Sequence, residues 1–478
     1  MGKAQQYITG LAACFAALSM GSLNTWPSYT LDLFTNPNTT VLSTPMTEVQ
    51  ASLVGSLPSL GAMAGTAVTG LFIDKLGRKR GSMALVLPTL LCWIIVQFSS
   101  SMLPIMIARF IGGIAGGSNL VYAPIFISEI SEPSIRGSLS SGTVTMYCFG
   151  AILSYLSGWF LSYRMIIWVN LALGVINLML FMLVVESPLF LLKKNNEKEA
   201  LKALAHYRDG SVTSKIVLEE LSVMKQQLSP PVELHTVTSD EKKEDEAELA
   251  EKEKLTSGEP ASPQRQPAIK TLFTDPASRR AFLVVGTVLT LQVCMGMVAV
   301  QVYAGNLFAQ AAPDLSKDFC SVLLALTLFA GCTVTTVVAD KAGRRVLLIS
   351  SSALVALCMG GLAANMQTGI LPAWVSAVVV LLYCFCFIYG AGSVPYVLLA
   401  EVFTPEVQSI ASMILVEWVW LLNFLIIAVF PVMVSLLTIH GSFYAFACVG
   451  IINTVVSYIY VPETKGMSNK QIQELFSK

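Results

Sequence analysis

The chain has 478 residues, 54% hydrophobic and only 13% charged, against roughly 25% charged in an ordinary soluble domain, so a water-soluble globule is excluded and lipid is the expected solvent. Lys and Arg together number 30, as do Asp and Glu, which leaves no bulk charge to recruit nucleic acid or an acidic partner. Ten Cys without a CxxC pair read as packing residues, and His206, His235 and His440 are too scattered for a metal site, so neither metal nor cofactor is expected.

Crossing a hydrocarbon core of about 30 Å takes about 20 apolar helical residues. Twelve stretches qualify: 7–28, 49–73, 82–101, 103–127, 139–161, 165–185, 280–305, 319–339, 346–365, 372–399, 410–435 and 440–461. Lipid offers backbone groups no partners, so each is predicted helical and the chain is read as an all-α membrane protein. The first span is too long for a cleaved leader and is expected to act as its own insertion signal; it carries Asn24. Asn38-Thr39-Thr40 behind it is a glycosylation acceptor. The second span runs into Asp74-Lys75-Leu76-Gly77-Arg78-Lys79, the fourth carries Arg109 and ends near Glu129, Arg136 follows, and the fifth holds Tyr147.

Residues 190–279 form a linker, with short amphipathic helices expected over Glu197 to Gln227 and disorder over the charged run Ser239 to Lys254. The seventh span contributes Gln292 and Tyr303. After the eighth, Asp340-Lys341-Ala342-Gly343-Arg344-Arg345 repeats the earlier hexapeptide at the matching place, so the chain reads as two six-helix halves, 1–189 and 280–462, with a tail over 463–478. The tenth span holds Tyr396 and ends near Glu401, and the eleventh carries Glu417, Trp420 and Asn423. Basic residues gather in the loops after the second and eighth spans, whereas the opposite side has only Arg164 and Lys317. Both termini and the linker are therefore expected in the cytosol.

Gly70, Asp74, Lys75, Gly77, Arg78 and Lys79 resemble the loop signature of the major facilitator superfamily. More specific motifs resemble its sugar porter family along nearly the whole chain. They are Arg109 with Gly112, Gly113, Gly116 and Gly117, Glu129 with Arg136, Glu186-Ser187-Pro188, Gly390 and Gly392 with Glu401, and the closing Pro462-Glu463-Thr464-Lys465-Gly466. The resemblance implies a twelve-helix fold in two halves with the substrate at their interface. It also implies a cytosolic salt-bridge gate, formed by Glu129 and Glu401 with Lys75, Arg78, Arg136, Arg344 or Arg345, alongside Asp74 and Asp340. Anchoring at the membrane surface is the alternative for these charges.

Departures bear on the substrate. Val144 stands where the family has Gln, Tyr396 where it has Trp, Val419 where it has Asn, Leu189 and Gln408 where it has Arg. Gln292, Tyr303, Trp420 and Asn423 remain, with Asn24, Tyr147 and Tyr396 beside them, as ligand contacts or as interhelical hydrogen-bonding residues. The set argues against a glucose-type site, and the looser fifth helix is similar to that of insect trehalose transporters, so a hexose or a disaccharide is the expected substrate. Proton-coupled relatives carry Asp where this chain has Asn24, so facilitated diffusion at the cell membrane is expected. Glu417, inside the eleventh span, is a proton acceptor, a partner for a loop cation or a vestibule residue, which keeps a proton symporter, with Arg109 beside its acceptor, as the alternative. A carrier of another organic solute and a nutrient receptor on the same fold remain further readings. No nucleophile and base, phosphate loop or ligand spacing points to an enzyme.

Overall fold

A computed structural model of the chain describes residues 2–38, 40–208, 210–228, 268–467 and 469–477. The side chains of Asp340 and Lys341, like the charged run over 239–254, lie outside what is described. Among the described residues eleven helices are long and apolar enough to cross a membrane. The last, Glu406–Tyr460, has 55 residues, about 82 Å at 1.5 Å per residue, far more than one bilayer. It folds back at Thr438, where φ is 64° and ψ 170°, so the protein makes twelve crossings and is an integral multi-pass membrane protein.

Several predicted spans are not single helices. The first divides into Gly2–Thr25 and Pro27–Thr35 at Trp26, where a Pro opens the second piece. The seventh runs Pro276–Cys294, breaks at Gly296 (φ 84°) and resumes as Met297–Val302 and Ala304–Ala311. The tenth passes from Ala373–Cys386 through a π-helical turn, Phe387–Ala391, into Val394–Glu401. Periodic apolarity cannot show such breaks, because every piece is still apolar on the scale of a span.

The basic hexapeptides are not loops. Glu48–Leu76 and Arg78–Phe98 are separated by Gly77 alone, and Lys317–Ala342 and Arg344–Thr368 by Gly343 alone. Both glycines sit at positive φ, 95° and 87°, where a Cβ is strained. After the sixth span, helices Pro188–Lys193, Glu197–Arg208 and Lys215–Leu228 lie beside the first half. Tyr207 is fully buried and donates to the Val185 carbonyl at 2.6 Å.

The glycine run of the fourth span explains its packing. A Cβ on Gly113 would meet the Pro58 backbone and one on Gly117 the Ala62 backbone, so the second and fourth spans approach to backbone contact. Between the halves, the second span packs on the eleventh, the fifth on the eighth and the first on the seventh.

At the end away from the basic hexapeptides one apolar core draws on both halves, joining Trp26, Phe34 and Trp93 to Tyr303, Phe308 and Phe443. At the basic end each half has its own core, one around Tyr122, Phe126 and Phe181, the other around Leu398, Phe403 and Val407. Polar contacts across the far end follow suit. Lys317 Nζ lies 2.8 Å from Asp32 Oδ2, the Gly305 amide donates to Ser28 Oγ at 2.9 Å, and Tyr155 donates to the Gln301 carbonyl at 3.0 Å. The halves are thus sealed at the far face and separately packed at the basic face.

Candidate functional site

Each half carries the same ionic cluster at its basic end. In the first, Arg78 holds Glu129 through Nε at 2.8 and 3.0 Å and Nη2 at 2.6 Å, and Ser187 Oγ donates to the other side of that carboxylate at 2.5 Å. In the second, Arg344 Nε and Nη2 reach Glu401 at 3.2 and 3.0 Å, and Thr464 Oγ1 donates to it at 2.6 Å. Behind each pair a further carboxylate caps a helix start. Glu186 accepts from the Arg78 and Lys79 amides at 2.8 and 3.1 Å, and Glu463 from those of Arg344 and Arg345 at 2.8 and 3.2 Å.

Amide groups at a helix N-terminus attract negative charge, so the basic motif after one span and the Glu-Ser or Glu-Thr after the last span of the half form one unit. The capping roles of Glu186 and Glu463 and the hydroxyls of Ser187 and Thr464 escape a reading that takes each motif separately. Their signal is that Glu followed by a hydroxyl residue closes both halves. Every one of these contacts stays within a half. Arg78 also reaches Asp74 at 3.5 Å, whereas Lys75 is exposed, and exposed Arg136 donates to the Ser131 carbonyl of its own half at 3.3 Å.

Arg109 is fully buried, donates to the carbonyls of Val54 at 2.9 Å and Leu23 at 2.6 Å, and lies 5.3 Å from the Trp26 ring centre. Among the described residues no carboxylate pairs with it. Asn24, one residue from that carbonyl, turns to Tyr147 and donates to its hydroxyl at 3.3 Å.

In the second half Gln292 donates to the Gly392 carbonyl at 3.1 Å, and Tyr303 to that of Ile427 at 3.2 Å while stacking 5.3 Å from Phe430. Those bonds use part of the polar capacity present. Gln292 Oε1, Asn423 Oδ1 and Trp420 Nε1 are buried without a partner, and an unsatisfied buried polar atom costs about 1–3 kcal/mol. Trp420 and Asn423 are three residues apart and share a face of the eleventh span. Tyr396 is 42% exposed although it stands within the tenth span.

Glu417 Oε1 meets Thr66 Oγ1 of the other half at 2.5 Å, and Oε2 has no partner. The Thr66 hydroxyl also lies 2.9 Å from the Met63 carbonyl and 3.1 Å from that of Ala62. Its single proton goes to one acceptor at a time, so Glu417 is either the acceptor or, when protonated, the donor of this contact. Asn38, the glycosylation candidate, is exposed in the connection after the first span. No cluster of metal-ligating side chains occurs among the described residues, and none of the ten Cys is in a disulfide.

The profile of the family described as "Sugar (and other) transporter" matches residues 5–476. The facilitated trehalose transporter of Drosophila virilis is 24% identical over 475 residues, 98% of this chain and 48% of that protein. That of Bombyx mori is 25% identical over 473 residues, 97% of this chain and 86% of that protein. The chain thus spans about half the length of the Drosophila relative. Among solved structures, the inward-open xylose transporter XylE from E. coli aligns with a TM-score of 0.76 at 19% identity, over 98% of this chain and 99% of that one. The proton:xylose symporter XylE bound to 6-bromo-6-deoxy-D-glucose aligns with a TM-score of 0.68 at 21% identity over the full length of both. The shared fold is that of the major facilitator superfamily.

Proposed function

The chain belongs to the sugar (and other) transporter family, and from that premise we propose that it is a facilitative sugar carrier of the cell membrane, moving a hexose or a disaccharide such as trehalose by alternating access. One observation carries the reading. Gln292, Trp420 and Asn423 hold two acceptors and a donor buried without partners beside aromatic rings, the combination that sugar hydroxyls and an apolar sugar face require. Tyr396, Tyr303 and, from the first half, Asn24 with Tyr147 complete the proposed site, and the similarity to facilitated trehalose transporters supports a sugar as ligand.

Transport then follows from the packing. With the far face closed by a shared core and the basic face packed as two units, a sugar reaches the site from the basic side, and rocking of one half on the other opens the far side. The twin clusters of Arg78 with Glu129 and Arg344 with Glu401 stiffen each half for that motion, and Asp74, Lys75, Arg136, Asp340 and Arg345 belong to the same face. The positive-inside rule puts that face, both termini and the linker in the cytosol and Asn38 outside. Uniport is supported by Asn24, whose amide takes up no proton, and by the carbonyl partners of Arg109. Proton-coupled symport is the second reading, favoured by the unpartnered oxygen of Glu417.

The test is exchange in proteoliposomes preloaded with unlabelled hexoses, trehalose, polyols or organic ions. A labelled sugar entering faster than in Gln292→Ala and Asn423→Ala proteoliposomes supports the reading. Exchange confined to organic ions overturns it.

A further inference from the structure

A cavity of about 590 Å³ lies apart from the proposed sugar contacts, where the seventh and eleventh spans meet Met63 of the other half. From the seventh span Phe282, Gly286 and Thr290 face it, and Gly286 points about 120° around the helix from Gln292 at 100° per residue. From the eleventh come Ile414, Trp418 and Glu417. Leu283 and Trp418 at its margin are 60% and 43% exposed, as side chains facing lipid would be.

The lining is apolar except for Thr287, Thr290 and Glu417, and Thr290 already accepts the Trp418 indole N–H at 2.9 Å. A carboxylate inside a membrane is costly unless neutralised. This one has Thr66 on one oxygen and nothing on the other. We propose that the groove binds a lipophilic amine, its ammonium against Glu417 and its hydrocarbon body along the walls of the seventh and eleventh spans. The Trp418 ring beside the carboxylate adds attraction for a cation. An anion is repelled, and an uncharged molecule of the same length gains the wall contacts but leaves Oε2 unpaired. Because Met63 of the other half lines the groove opposite the seventh and eleventh spans, an occupant touches both sides of the seam on which the halves move and slows the cycle. The inference depends on neither the identity of the transported solute nor the orientation in the membrane.

The test uses the full chain in phosphatidylcholine nanodiscs and tritiated dodecylamine, read by scintillation proximity without any transport step. Saturable binding is expected, displaced by unlabelled dodecylamine and not by 1-dodecanol. Glu417→Gln should weaken it roughly tenfold or more, the loss expected for a hydrogen bond to a charged group. Met63→Trp, which fills the groove and leaves the carboxylate in place, should abolish it and guards against a misfolded Gln variant. Equal displacement by 1-dodecanol, or undiminished binding by both variants, overturns the proposal.

Discussion

The two ionic clusters share a plan but not an environment, so the same substitution should cost different amounts. Arg78 and Glu129 side chains are 5% and 7% exposed, with contacts down to 2.6 Å. Arg344 and Glu401 are 17% and 29% exposed, with a closest contact of 3.0 Å. Glu129→Gln keeps the shape and removes the charge, leaving the buried guanidinium with the Ile73 carbonyl and the longer 3.5 Å contact to exposed Asp74, at a cost near the low end of that for a broken buried pair, about 3 kcal/mol. Glu401→Gln leaves a guanidinium that water partly reaches, and discounting a charge-assisted hydrogen bond for that solvation gives about 1–2 kcal/mol. For a cooperative unit the size of one half, with about 2–4 °C per kcal/mol, the melting temperature should fall by roughly 10 °C in the first variant and about 4 °C in the second. Buried Cys14, Cys92, Cys148 and Cys384 make a thiol-reactive dye the natural readout of unfolding in detergent. Replacing both partners by apolar residues, Arg78→Met with Glu129→Leu, should recover most of the loss. Equal shifts, or a larger one for Glu401→Gln, would refute the assignment of a dry first cluster and a wetter second one.

Cys148 and Cys332 face each other across the halves with sulfurs 3.9 Å apart, and an oxidant should close them to a disulfide of about 2.05 Å. The two halves should then migrate together on a non-reducing gel after cleavage at a protease site placed within 229–267, and reductant should restore transport. Gly296→Ala should lower the melting temperature, because a Cβ there is strained at φ 84° and would meet the Phe446 ring. Asp275 caps the start of the seventh span, and the Ser278 hydrogen bond holds its carboxyl below the ordinary carboxylate range. That contribution is fully present above the ordinary value and is lost as pH falls through the depressed one, so Asp275→Asn should flatten the acid limb of a thermal melt. Asn38→Gln should remove any glycosidase-sensitive shift in mobility if the first connection faces outward.

Span number, the two halves and the basic hexapeptides were legible because each is written in composition or repetition: long apolar runs, and a motif that recurs at the same place. The breaks at Trp26, Gly296 and the tenth-span π turn were not, since backbone conformation leaves no mark on an apolar run beyond a Gly or Pro that also occurs in straight helices. Glu129 and Glu401 were recognised as carboxylates in need of cations, and both have them. The gate implied for those pairs forms across the basic face only when that face closes; with the two halves packed separately there, the contacts named above run within each half. Gln292, Trp420 and Asn423 could be named from the chain, but their unpartnered atoms emerge only when neighbouring helices are in place. Thr66, the partner of Glu417 in the opposite half, carries no sequence signal that separates it from other hydroxyls in the second span.

The most direct test of a sugar uniporter is the steady-state distribution of its substrate in proteoliposomes under an imposed inward proton gradient. The account predicts that the labelled sugar rises to the external concentration and stops there, with or without protonophore, and that Gln292→Ala raises the concentration needed for half-maximal entry several-fold, as loss of a hydrogen bond worth about 0.5–1.5 kcal/mol requires. Accumulation above the external concentration that collapses with protonophore and with Glu417→Gln would contradict it and make the protein a proton symporter.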